Sequence, residues 1–136
     1  MISRGKESRD IRMYKNILVI NLMHIGDLLL VTPVLRTLRA NYPAAKISLL
    51  ADKKLRDLVR CNKHIDELIE IDKKGYHNTL WHYMQFIGEI RDKKFDLVIN
   101  LHANERASFI AAFSGAKQVI GYATPIAGWF FDQVLP

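Results

Sequence analysis

Gly26 and Asp27 stand in the stretch Leu22-Met23-His24-Ile25-Gly26-Asp27-Leu28-Leu29-Leu30. A carboxylate at such a place can take a proton from an attacking hydroxyl. With a pKa of about 4 it is a weak base toward an alcohol at rest. The hydroxyl acidifies as its bond to carbon forms, so the proton moves late. Asp27 equally suits a helix N-cap, binding free N–H groups and complementing the helix dipole. Residue type alone leaves both readings open. Gly26 beside it permits a tight turn and close ligand approach, and His24 lies two residues earlier.

Two further groups could bind a polar ligand. Lys53, Lys54, Arg56, Arg60 and Lys63, tempered by Asp52 and Asp57, could hold phosphates or carboxylates, with Arg giving two-pronged contacts. A solvated helix face would look the same. His102, Asn104 and Arg106 follow the apolar run Phe95–Leu101 and could also contact a ligand, or merely cap an element. No G-x-G-x-x-G follows the first apolar run and no G-x-x-x-x-G-K-[ST] occurs anywhere, which disfavours dinucleotide and P-loop chemistry. The five His are scattered and Cys61 is alone, so no metal site and no internal disulfide is expected.

The elements that must position these groups alternate. Asn16 to Leu22 reads as a buried strand. Leu28, Val31, Leu35 and Leu38 then recur at helical spacing within Asp27–Asn41. Pro33 implies a kink, or a true helix start at Thr32. Lys46–Ala51 and Ile65–Ile71 read as strands, with a short helix over Lys53–Arg60 between them. Leu80, Tyr83, Met84, Ile87 and Ile90 mark a helix. Phe95–Leu101 is a strong strand, Ala103–Phe113 a helix and Lys117–Gly121 a last short strand. Such alternation predicts an α/β fold: a Rossmann-like, doubly wound parallel sheet covered on both faces. Asp27 and the group after Leu101 would then lie at the carboxyl ends of strands, where open sheets of this kind bind ligands.

At 136 residues the chain is expected to be one domain, residues 16–136, behind a polar disordered leader at 1–15. Nothing approaches the roughly 20 apolar residues that span a bilayer, and the charged start is not that of a secretory signal peptide. The net charge of +6 is uneven: residues 1–75 carry 15 basic against 9 acidic side chains, and the remainder balances. An anionic partner would suit that surplus. Nucleic acid is disfavoured because no aromatic residues interleave with the cations of 53–63 as stacking platforms. Trp129-Phe130-Phe131 reads as core packing or docking within the same protein.

Ile17-Leu18-Val19-Ile20-Asn21-Leu22-Met23-His24-Ile25-Gly26-Asp27, followed by Thr32-Pro33-Val34-Leu35-Arg36, resembles the start of the ADP-heptose:lipopolysaccharide heptosyltransferases. These are bacterial glycosyltransferases of the two-domain GT-B architecture. Phe95-Asp96-Leu97-Val98-Ile99-Asn100-Leu101 and Val119-Ile120-Gly121-Tyr122 match in order and spacing, and the heptosyltransferase III branch is the most similar. The resemblance implies an amino-terminal, acceptor-side domain in which Asp27 is the general base of an inverting transfer. The acceptor would be a heptose of the lipopolysaccharide inner core, contacted by Gly26, His24, Lys53, Lys54, Arg56, Arg60, His102, Asn104 and Arg106. It implies no metal and no cofactor. The donor, ADP-heptose, would be bound mainly by a carboxy-terminal domain beyond Pro136, without which the chain is expected not to turn over. The expected setting is cytoplasmic, with peripheral contact at the inner face of the inner membrane. The alternative is a non-catalytic module that binds an anionic glycan or a membrane surface.

Overall fold

The computed structural model describes residues 14–21, 31–53, 62–71, 80–101, 105–121 and 133–134. Six strands form one sheet: β1 (Asn16–Ile20), β2 (Lys46–Asp52), β3 (Glu67–Ile71), β4 (Leu97–Asn100), β5 (Gln118–Gly121) and β6 (Gln133–Val134). Three helices are described between them: α1 (Val31–Asn41), α2 (Leu80–Asp92) and α3 (Glu105–Ala112). Every pairing is parallel and the strand order is β3-β2-β1-β4-β5-β6. That is the order of the Rossmann fold, as the alternation predicts.

The central strands are apolar on both sides because both faces are covered. Along β1 successive side chains point to opposite faces. Leu18 and Ile20 join the cluster under α2 and α3, with Leu50, Ile71, Ile90, Val98 and Ile110. Ile17 and Val19 join the cluster under α1, with Val31, Leu35, Leu38, Ile47 and Leu49. The i, i+4 and i+7 spacing of Val31, Leu35 and Leu38 is the stripe that seats α1. Pro33 falls in the first turn of this described span, a position that suits proline.

The helix marked by Leu80, Tyr83, Met84, Ile87 and Ile90 is present as α2, and two features add to the sequence reading. The apolar residues of α2 do not form one inward face: Phe86, Ile87 and Ile90 are buried and Tyr83 packs beside them, but Leu80 and Met84 are 77% and 57% exposed. Buried Phe86 and outward Trp81 show that the stripe is turned from the one that Leu80 and Met84 would define. The second is an omission: β6 pairs with β5 through Ile120↔Gln133 and Gly121↔Val134, beyond the last strand expected. Leu28, residues 1–13 of the leader expected over 1–15, most of the short helix over 53–60 and Trp129-Phe130-Phe131 lie outside the described residues, whereas Lys15 is bonded to Asp96 and Lys46.

Candidate functional site

In this topology the chain reverses its winding between β1 and β4. From β1 it passes through α1 to β2 on one side; β4 lies on the other side of β1. Open α/β sheets bind ligands at such a switch point, outside the carboxyl ends of the strands. Here that edge is well defined. The Asn21 N–H donates to the Leu50 carbonyl at 3.0 Å, and the Leu101 N–H donates to the Ile20 carbonyl at 2.9 Å. The end of β1 is therefore held from both sides up to the residue where the chain leaves the sheet.

Three residues close the edge over the central strands. Asn21 follows β1 and is 2% exposed; Asn100 ends β4 and is fully buried. Asn100 is in register with Ile20 on one side and Gly121 on the other. Gly121 has φ +131°, and a Cβ there would fall on the Asn100 carbonyl oxygen and 2.8 Å from its nitrogen. Only glycine lets β5 approach β4 so closely. Both asparagines have bonding partners beyond the main-chain contacts above. In an otherwise apolar layer, a buried amide is costly unless it is bonded.

Of the candidate ligand contacts named from the sequence, three are described, and one of them, Lys63, is exposed ahead of β3. Lys53 is exposed just after β2, and Arg106 is the second residue of α3. Lys53 and Arg106 stand at the carboxyl edge, after β2 and after β4, the strands flanking β1. Strand spacing puts those two strands roughly 10 Å apart. His24, Gly26, Asp27, Lys54, Arg56, Arg60, His102 and Asn104 lie outside the described residues. The chain order still ties Gly26 and Asp27 to the stretch between Asn21 and Val31, and His102 and Asn104 to the stretch between β4 and α3. Asn21 was not singled out, although it interrupts the apolar run Ile17–Leu22, and that interruption is its signal.

The opposite, amino edge of the sheet carries the described ion pairs. Arg39 at the end of α1 donates to the Asp66 carboxylate at 2.6 Å and to the carbonyls of Ala45 (2.8 Å), Pro43 and His64 (both 3.2 Å). Burial pushes the Asp66 carboxyl upward, but the Ile47 N–H at 2.8 Å, Arg39 and Lys46 outweigh it and hold it below its usual range. Glu67 behaves alike: burial raises it, and Lys93 at 3.1 Å with Lys46 at 3.5 Å brings it down. Asp96 accepts the N–H groups of Lys15 (3.0 Å) and Asn16 (3.1 Å), tying β4 to the start of β1. This edge fastens the sheet and lies away from the switch point. A concavity of about 270 Å³ on α1, lined by Pro33, Val34, Thr37 and Leu38, is apolar and holds no ionisable group. Among the described residues no cluster of three His, Cys, Asp or Glu side chains is placed to hold a metal, and no helix is long and apolar enough to cross a membrane.

The same layer recurs in solved glycosyltransferases. A glycosyl transferase family 9 protein from Veillonella parvula superimposes with a TM-score of 0.85 and 40% identity, over 90% of this chain and 36% of that one. The ADP-heptose lps heptosyltransferase II of Escherichia coli gives 0.71 over 89% of this chain and 35% of that one; at 24% identity this is a likeness of fold. In sequence, lipopolysaccharide heptosyltransferase 3 of E. coli K12 is 38% identical over 78 residues, 56% of this chain and 23% of that protein. No family model matches the chain. The class is thus a Rossmann-like parallel α/β lobe of the GT-B fold. Within it, the chain is similar to a glycosyl transferase family 9 protein and to lipopolysaccharide heptosyltransferase 3, and matches a fragment of each. It spans about a quarter of the length of the curated relatives and about a third of the solved ones.

Proposed function

We propose that this chain is the acceptor-side lobe of an inverting heptosyltransferase that moves heptose from ADP-heptose to a heptose of the lipopolysaccharide inner core. Asp27 is the general base. The observation that carries the reading is the switch point between β1 and β4, from which the Asp27 stretch departs, in a sheet matched to family 9 at 40% identity. In the reaction an acceptor hydroxyl attacks the anomeric carbon of the donor while the bond to the diphosphate breaks. Its proton passes to the Asp27 carboxylate as the new bond forms. Charge on the sugar is oxocarbenium-like at the transition state. The departing diphosphate needs positive groups or helix N-termini, and these belong to the nucleotide-sugar side of the site, which the proposal assigns to a second lobe. His24, Gly26, Lys53, Lys54, Arg56, Arg60, His102, Asn104 and Arg106 line the acceptor side, where cations suit a phosphorylated, acidic core. The lobe works on the cytoplasmic side of the inner membrane in peripheral contact with it.

The test uses the full native reading frame, purified and supplied with ADP-heptose and a heptose-bearing core acceptor. Asp27→Asn is expected to cut kcat by about 10³-fold or more, in the range for losing a positioned base, with the thermal midpoint nearly unchanged. Transfer at the wild-type rate by Asp27→Asn would leave Asp27 with the N-cap role alone. Salt-sensitive binding to lipopolysaccharide core by a full-length protein with no affinity for ADP would favour a non-catalytic module instead.

A further inference from the structure

We infer that the amino-terminal end of α2, through Leu80, Trp81 and Met84 at the carboxyl edge of the sheet, docks this lobe on an anionic lipid surface. The inference deepens the reading of the lobe as one that serves a lipid-linked acceptor, and rests on that reading for the choice of a lipid. The place of this end of α2 follows from the other end. Just past α2, the Lys93 carbonyl accepts the Asn16 side-chain N–H at 2.8 Å, and the Lys93 ammonium donates to Glu67 at 3.1 Å. These bonds pin the carboxyl end of the helix to the amino edge of the sheet. Phe86, Ile87 and Ile90 then seat it on the cluster that holds Ile20 and Ile71, the last residues of β1 and β3. A rise of about 1.5 Å per residue carries Leu80 roughly 18 Å back from Asp92. Strand β1, at about 3.3 Å per residue, is only roughly 13 Å long. Leu80 and Trp81 therefore stand at the carboxyl edge, the edge of the switch point.

Leu80, Trp81 and Met84 are 77%, 69% and 57% exposed. Met84 lies three and four residues on from the other two, so the three share one surface of the helix. Contiguous exposed apolar side chains mark a protein or membrane contact. Charge favours an anionic surface. The first carboxylate along α2 is Glu89, more than two turns in. Lys53, exposed at the same edge, follows Asp52, which is in register with Ile71 at the end of β3. The chain as a whole carries +6, and anionic headgroups attract such cations. Size decides against a second copy of the chain. A large side chain buries at most roughly 150–250 Å², so the three offer about 400–500 Å², well short of the roughly 800 Å² that each partner gives to a stable protein interface. A bilayer needs no such complementary area. An indole settles at headgroup level, and a few aliphatic side chains beside it give reversible attachment that cations reinforce.

The experiment uses the full native reading frame and acceptor-free vesicles of phosphatidylethanolamine and phosphatidylglycerol, with partition read by flotation. Leu80→Ser/Trp81→Ser/Met84→Ser is expected to lower the partition coefficient by about tenfold or more. Gln85→Ala, at an exposed polar position of the same helix, should leave it within about twofold. The triple variant should keep the wild-type thermal midpoint and sedimentation coefficient, since its three side chains are exposed. It should also keep kcat on a water-soluble core oligosaccharide. If the triple variant does not fold, Trp81→Ser alone replaces it, with an expected loss of about threefold or more. Unchanged partition in the variant, or no partition of the wild type, overturns the inference. So does a wild-type dimer that the variant breaks, or a lowered thermal midpoint with partition unchanged, since either gives the face to a protein contact. Equal partition onto phosphatidylcholine vesicles overturns the anionic assignment. The vesicles hold no acceptor, so Asp27→Asn should float like the wild type. A wild-type transfer rate for that variant sinks the catalytic reading and leaves flotation untouched, which separates the two failures.

Discussion

Gly121 shows how one residue sets the geometry of the edge. The atoms that a side chain would meet are main chain of Asn100, which is buried and in register with Ile20, so they cannot step aside. Gly121→Ala should therefore lower stability by about 2–4 kcal/mol, combining a strained positive φ with a backbone overlap. Urea unfolding followed by circular dichroism would measure it; a loss under about 0.5 kcal/mol would mean that β5 is free to shift. Ser48 is the contrasting case. Its hydroxyl is buried with no hydrogen-bond partner. Removing an unbonded group leaves no partner stranded, so Ser48→Ala should be neutral or slightly stabilising, within about 0.5 kcal/mol. The Gly26-Asp27 pair could be picked out by residue type, because a carboxylate after an apolar strand run is unusual. Asn21 and Gly121 could not be ranked in the same way. What marks them is a neighbour contributed by another strand.

At the scale of elements, the strands and α1 could be read from pattern because each obeys a single period. Ile17–Ile20 and Leu97–Asn100 are short runs buried on both faces, and Val31, Leu35 and Leu38 repeat once per turn. In α2 the pattern is ambiguous, since Leu80, Trp81 and Met84 are apolar yet exposed. Only packing on the sheet selects Phe86, Ile87 and Ile90. Ile90→Ala should cost about 2–5 kcal/mol, the range for emptying a core position, whereas Met84→Lys should change stability by about 0.5 kcal/mol or less. Equal losses in the two variants would contradict the observed face. β6 was invisible because two residues show no period at all.

The amino-edge pairs were equally hidden, because Arg39 and Asp66 meet only once β2 and β3 lie side by side. Their effect is testable by pH. Asp66 and Glu67 are held below their ordinary values in the folded chain. Each then binds fewer protons folded than unfolded. Their contribution is complete above the unfolded carboxyl values of about 4 to 4.5 and fades as pH falls through the lower folded ones. Denaturant midpoints measured from pH 7 down to pH 2.5 should decline more steeply below pH 4.5 in the wild type than in Asp66→Asn/Glu67→Gln. Parallel curves would show that the pairs are too solvated to matter.

For the whole molecule, the sheet order sets the switch point at the carboxyl edge, which the proposed function takes as the acceptor wall of a site whose sugar nucleotide is held from elsewhere. The curated relatives are about four times the length of this chain's share in them, and the solved ones about three times. Transfer needs two things at once: a base beside the acceptor hydroxyl, and positive groups around the diphosphate that leaves. The proposal places the first on this lobe, through Asp27, and the second on its partner lobe. Residues 1–136 alone should then fold cooperatively, since the two apolar layers on β1 are complete among the described residues. They should release no ADP from ADP-heptose in the presence of core acceptor, and calorimetry should show no ADP binding at millimolar concentration. Acceptor binding by the same polypeptide should persist and weaken with salt, because the proposed function assigns it to the cations of 53–63. ADP release above the uncatalysed rate would place leaving-group stabilisation on this lobe and overturn the division of labour, while leaving the strand order and the role of Gly121 untouched.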